Sequence, residues 1–380
     1  MSTPICDFVR GYCESVLLRL HMPGHKGRGE LGCEALDITE VPGADDLACP
    51  EGVILESEEN TTELFGSRHS FYCTGGSSQC VKAMLHLAYL FRPEGTGNCI
   101  LAARNAHKSF LHGCALLGLE PRWLYPEAGT PLCSCPVSPA ALERALQTGE
   151  RPFAVYITSP DYLGGVQDIS ALAEVCHRHG LPLLVDNAHG AYLKFLEPSR
   201  HPLDLGADMC CDSAHKTLPV LTGGAYLHVS ERAQAAFEAE ARHSLAVFGS
   251  SSPSYLILQS LDLCADRLDK DYPALIRATE RKVAELAREL GLQPSEGDPL
   301  KLAIPSCDFG CTGFELASCL RDWRTVAEYA DEDWLVLMFS PGLGEGAFEH
   351  VRRAMPLRRP GSRKLRSLPG PGERLLSPRE

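Results

Sequence analysis

The sequence predicts an α/β fold: a large domain whose mostly parallel sheet is sandwiched by helices, then a small C-terminal α/β domain. Three features predict it. Short continuous apolar runs alternate with amphipathic helical segments through the middle of the chain, the pattern of a parallel sheet buried on both faces. Polar clusters follow directly after three of those runs, where such sheets bind ligands. Past residue 252, two long helical segments give way to strand, helix and strand.

Taken in order, "CILAAR" (99–104) is an apolar strand, "HKSFLHGCALLGL" has helical spacing, and "PRWLY" returns to strand. "SPAALERAL" (138–146) opens on an N-capping serine and continues in helix formers. "PFAVYIT" (152–158) is rich in β-formers. "DISALAEVCHRHG" (168–180) opens on a capping Asp168, puts Ile169, Leu172, Ala173 and Cys176 on one face, and stops at Gly180. "LPLLV" (181–185), "ADMCCDS" and "GGAYLHV" are three more strands. "PSYLILQSLDLCADRL" (253–268) and "YPALIRATERKVAELARELG" (272–291) are long helices, and "PLKLAIP", "TGFELASCLRD" and "DWLVLMFSP" supply the small domain. From Pro356 the chain is rich in Pro, Gly and Arg without periodicity, which predicts a disordered tail or, alternatively, a basic interaction arm.

Composition bounds the function. The chain has 380 residues, enough for two domains, and 44% hydrophobic residues, ordinary for a globular protein. A formal net charge of −13 argues against nucleic acid as a partner. No apolar run is long enough for a membrane span, and the first twenty residues lack a basic region followed by an apolar core. Seventeen cysteines are scattered, odd in number and without a C-x-x-C, so they read as buried thiols in a reducing cytosol, with no structural metal.

Four polar pieces carry chemistry. "TGGSSQCVKAMLHLAYL" (74–90) sets Gly75, Gly76, Ser77 and Ser78 before an amphipathic helix, a donor cup suited to phosphate. "RNAHKS" places His107 at a strand end, where it is a ligand-facing or a capping histidine. "VDNAHGAY" (185–192) ends a buried strand on Asp186, a carboxylate that needs a donor or cation unless it is a helix cap. "CDSAHKTLPVLTGG" holds Lys216 beside Ser213 and His215, between apolar segments. A lysine there is either a solvated turn residue or an amine relieved of its buried charge by a covalent bond. Pyridoxal 5′-phosphate is the one cofactor that uses all four: a Schiff-base lysine, an acid for its ring nitrogen, a phosphate cup, and packing on its ring faces.

The ordered segments "LHMPGHKG", "TEVPGADDLACPEG", "LFGSRHSFYCTGGSSQ", "ILAARNAHKSFLHG", "ITSPDYLGGVQDI", "VDNAHGAY", "DSAHKTLPVLTGGAYLH" and "SSSPSYLILQSLD" resemble the ornithine/lysine/arginine decarboxylases, pyridoxal-phosphate enzymes of fold type I, and most closely their short bacterial forms. The resemblance covers roughly residues 18 to 355. It implies that Lys216 carries the cofactor, that Asp186 pairs with its ring nitrogen, and that His107 and Ala188 pack on its two faces. Ser77, Ser78, Ser213 and His215 would surround the phosphate, with His189 close by. His21, Gly24, His25 and Lys26 would line the entrance near a dimer interface, and Ser251, Ser252 and Ser254 would reach the other protomer's phosphate. The N-terminal wing and the larger C-terminal domain of the large forms have no counterpart in the matched stretch.

The resulting expectation is a cytoplasmic, homodimeric decarboxylase of lysine, ornithine or arginine, yielding a diamine or agmatine and carbon dioxide in polyamine metabolism. An acidic patch would receive the substrate's cation: Asp45 and Asp46, or Glu56, Glu58 and Glu59, unless these are solvated surface. The alternatives are an aminotransferase or side-chain lyase, for which Arg321 and Arg324 are candidate carboxylate ligands, or a catalytically silent regulator. The expected divisions are an N-terminal segment (1–50) serving the site or interface, a cofactor-binding domain (51–270), a small domain (271–355) and the tail (356–380).

Overall fold

The computed structural model describes residues 1–15, 17–344, 346–359 and 376–379. Seven strands form the large sheet: β1 (His69–Cys73), β2 (Cys99–Ala103), β3 (Glu120–Leu124), β4 (Val155–Thr158), β5 (Leu183–Asp186), β6 (Met209–Asp212) and β7 (Ala225–Val229). Their spatial order is β1-β7-β6-β5-β4-β2-β3. β7 runs antiparallel to both neighbours, and every other pairing is parallel.

The apolar runs are continuous because both faces are buried. Val155 and Ile157 enter one core while Ala154 and Tyr156 enter the other, as the two-residue strand period requires. The helices of this domain are α1 (Pro4–Glu14), α2 (Val53–Phe65), α3 (Ser77–Leu90), α4 (Lys108–Leu117), α5 (Pro139–Leu146), α6 (Ile169–Arg178), α7 (Ala214–Thr217), α8 (Ala235–Phe248) and α9 (Tyr255–Asp269). Apolar residues of α3, α4 and α8 fill the core that holds Tyr156, and those of α1, α2, α5, α6 and α9 fill the other. The predicted caps are present: Ser138 accepts from the Ala141 N–H and Asp168 from the Ala171 N–H.

α10 (Tyr272–Glu289) leads into β8 (Lys301–Pro305), α11 (Gly313–Asp322), β9 (Tyr329–Ala330), β10 (Trp334–Met338) and α12 (Ala347–Ala354). These strands form an antiparallel sheet in the order β8-β10-β9. Leu302, Ile304, Leu335 and Leu337 pack there against Val283, Leu286, Leu316 and Leu320. The expected division at 270–271 falls between α9 and α10.

The N-terminal fifty residues are of two kinds. α1 docks on the large core through Ile5 and Val9, both fully buried. The coil after it leaves Leu17, Leu18, Leu20, Met22 and Leu31 each more than half exposed. At the other end, Arg358 pairs with Asp308 at 2.7 Å and the Arg359 N–H bonds to the Asp308 carbonyl, so residues 358–359 are tethered to the small domain. Residues 360–375 and 380 of the expected tail lie outside the described residues.

Candidate active site

Four parallel strands end at one rim and deliver the site. His107 and Asn105 follow β2, Asp161 and Tyr162 follow β4, Asp186 closes β5, and Lys216 follows β6 in α7. A cavity of about 290 Å³ is lined there by Ser77, His107, Asp186, Ala188, His189 and Lys216, all six expected from the sequence.

Asp186 is buried, with three donors around it. Tyr156 Oη donates to Oδ2 at 3.0 Å, the Ala188 N–H to Oδ1 at 3.2 Å, and Cys211 Sγ lies 3.8 Å from Oδ1. Lys216 Nζ lies 3.0 Å from His189 Nε2. Burial pulls the Lys216 pKa below the ordinary lysine value, against the opposing charges of Asp186 and Glu328. Burial also holds His189 well below the usual histidine range, with the charges of Lys301 and Lys216 adding to it. His107 is a capping residue whose ring also lines the cavity. Its Nδ1 accepts from the Ser109 N–H at 3.2 Å as the N-cap of α4, which fixes its ring, and the same ring lines the cavity. Burial lowers its pKa, partly offset by Asp186. In the neutral ring the proton therefore sits on Nε2.

The phosphate-cup residues lie at the N-terminus of α3. Gly76 is its N-cap with φ +71°, a conformation that favours glycine, and no side chain caps the helix. Ser213 Oγ donates to Ser77 Oγ at 2.7 Å and ties the cup to the turn that carries Lys216. Ser78 is exposed in the first turn of α3, and His215 bonds through Nδ1 to the Gly224 carbonyl at 3.0 Å; neither lines the cavity.

Other expectations are not brought together by a single chain. His21 contacts Tyr12, His25 contacts Asp37, and Lys26 contacts the His21 carbonyl; none of the three lines the cavity. Ser251 lines a second cleft with Arg242 and Gln79. The acidic patch is not gathered at the site: none of its five residues lines the cavity, and Glu56 and Glu59 are exposed. Asp45 accepts the N–H groups of Gly52 and Ile54 at the start of α2. Glu58 is fully buried beside Arg242 and His69, a pair that local sequence does not reveal because Arg242 lies 184 residues away. Arg321 and Arg324 are exposed and away from the cavity.

Sequence reasoning missed Arg104, Cys133, Thr158, Asp161 and Tyr162, which also line the cavity. Three of them follow or end β4, so the strand-end rule applied to "PFAVYIT" would have found them. The Tyr162 ring meets His189 edge-on at 4.9 Å and packs on Tyr329 at 5.4 Å. A neighbouring cluster, His201, Cys210 and Asp212, has metal-ligand chemistry but is already paired. The Leu203 N–H bonds to His201 Nδ1, which leaves the proton on Nε2 to donate to Asp212 at 3.0 Å.

The cavity fits pyridoxal 5′-phosphate on the chain's own terms. Thr158 Oγ1 and Asn105 Oδ1 are buried in its walls without a hydrogen-bond partner, and the α3 N-terminus beside it is uncapped. Fold and site together define a pyridoxal-phosphate enzyme of fold type I. The chain belongs to the Orn/Lys/Arg decarboxylase family, whose major-domain model matches residues 3–290. It is a pyridoxal-phosphate-dependent amino-acid decarboxylase. It is 31% identical over 365 residues to the uncharacterized protein YaaO of Bacillus subtilis, covering 90% of this chain and 75% of that one. It is 29% identical over 358 residues to an arginine decarboxylase of Halalkalibacterium halodurans, covering 87% and 71%. In structure it resembles the constitutive lysine decarboxylase of E. coli, with TM-score 0.76 at 19% identity. That match covers 93% of this chain and 60% of the longer protein. No helix among the described residues is long and apolar enough to cross a membrane.

Proposed function

We propose that this protein decarboxylates a basic amino acid, arginine before lysine or ornithine, in the cytoplasm and as a homodimer. One observation carries the substrate class. The cavity that joins Lys216, Asp186 and His107 is walled by Tyr162, whose ring packs at 5.4 Å on Tyr329, and the exposed carboxylate that precedes Tyr329, Glu328, forms no ion pair among the described residues. The negative charge of Glu328 is felt at both Tyr162 and Lys216, so a cationic side chain entering past Tyr162 meets an anion. Relatives that carry the name arginine decarboxylase favour the guanidinium.

The residues divide the work. Lys216 would hold the cofactor through Nζ, Asp186 its ring nitrogen, Ser77, Ser213 and the α3 amides its phosphate, and His107 and Ala188 its faces. When bound, the cofactor supplies an electron sink for the pair left at Cα as carbon dioxide departs. Burial favours the uncharged, nucleophilic form of Lys216. His189, 3.0 Å from Nζ, orients that amine. Buried Pro160 and half-buried Tyr162 form part of the cavity wall and limit the access of water. A panel of amino acids assayed for amine and carbon dioxide should show arginine turned over fastest; a keto acid product would refute the proposal. Glu328→Gln should raise KM for the basic substrate about tenfold with little change in kcat. An unchanged KM removes Glu328 from recognition.

The dimer is proposed from the N-terminal coil. Five large apolar side chains exposed between Leu17 and Leu31 are covered if a second copy packs there, and the same contact would bring His21, His25 and Lys26 to the partner's cavity. Mixing inactive Lys216→Ala and His25→Ala proteins under subunit exchange should recover activity, approaching a quarter of wild-type sites. A fully active monomer at micromolar concentration would overturn it.

A further inference from the structure

We infer that Tyr156 is a positioning residue for Asp186, orienting the carboxylate toward the cofactor ring nitrogen; this rests on the proposed role of Asp186. Strand register puts the two together. β4 pairs with β5 so that Thr158 faces Asp186, and Tyr156 lies two residues back on the same face of the sheet as Asp186 and Cys211. The phenol donates to Oδ2 at 3.0 Å. Oδ1 takes the Ala188 N–H and the Cys211 thiol, so Tyr156 is the protein donor that fixes Oδ2. Its ring is fully buried and packs on Phe110 at 4.5 Å, in the helix that His107 caps. The hydroxyl cannot swing away without losing that packing. Burial and the Asp186 charge hold its pKa well above the ordinary tyrosine value, so it remains a neutral donor.

With one lone pair of Oδ2 committed to the phenol, the other is left for a donor on the ligand. A phenylalanine at 156 would keep the packing and release Oδ2, so the carboxylate would lose its orientation rather than its charge.

The test is a double-mutant cycle read as pyridoxal-phosphate dissociation constants, in the wild-type and the Asp186→Asn backgrounds, with apo-protein melting measured alongside. Tyr156→Phe should raise the dissociation constant about tenfold in the wild type and less than about twofold beside Asp186→Asn, because the interaction partner is already altered. In the wild-type background kcat should fall about tenfold with KM unchanged. An equal weakening in both backgrounds, or a lower Tm with unchanged cofactor affinity, assigns Tyr156 to packing and overturns the inference. A wild-type protein that binds no pyridoxal phosphate overturns the role of Asp186 and this inference together.

Discussion

Lys216→Ala is expected to give a folded protein that forms no borohydride-stable adduct with pyridoxal phosphate and turns over at least about a thousandfold more slowly, about 4 kcal/mol of barrier. Lys216 is the lysine that lines the cavity, while Lys26 and Lys108 do not. The apo-protein should melt no lower than wild type. Because burial lowers the folded-state pKa of Lys216, its charge costs stability below that pKa, a cost that fades as pH rises through it. Alanine removes the charge and with it this cost. Peptide mapping of the reduced wild-type protein should place the adduct on Lys216. An adduct on Lys26 or Lys108, or a variant that retains normal turnover, would reject the assignment.

The sheet was legible because burial on both faces writes itself into sequence. "CILAA", "LLV" and "MCC" are continuous apolar runs, and the residue types after them announce a rim. The elements around the rim were less legible. α2 reads as an acidic surface, since "ESEEN" gives no sign that Glu58 is buried with Arg242 and His69. β1 is short and opens on His69, whose partner is that same Glu58. Tyr156 sits mid-strand among apolar residues and reads as core. Its bond to Asp186 becomes visible once β4 and β5 are known to be neighbours, and strand order is a property of the whole sheet. Asp45 shows the converse error: a carboxylate in a Gly-rich stretch reads as a substrate group, while its oxygens collect backbone N–H groups at a helix start.

Asp186→Asn is expected to lower turnover by at least about a thousandfold while Lys216 still forms its adduct, each tenfold loss being about 1.4 kcal/mol. The substitution changes little in shape. The amide oxygen can still accept the Ala188 N–H, and the Tyr156 hydroxyl can turn to accept from the new amide nitrogen. What it removes is the negative charge, and with it the electrostatic preference for a protonated ring nitrogen in a site where burial magnifies such preferences. Binding should weaken less than turnover, because the α3 N-terminus and Lys216 grip other parts of the cofactor. That split is the diagnostic. Equal losses in cofactor affinity and in turnover would mean that Asp186 only helps to seat the cofactor. A near-normal rate would mean that Asp186 serves the fold alone, bracing the Asp186–Ala188 turn through its own hydrogen bond.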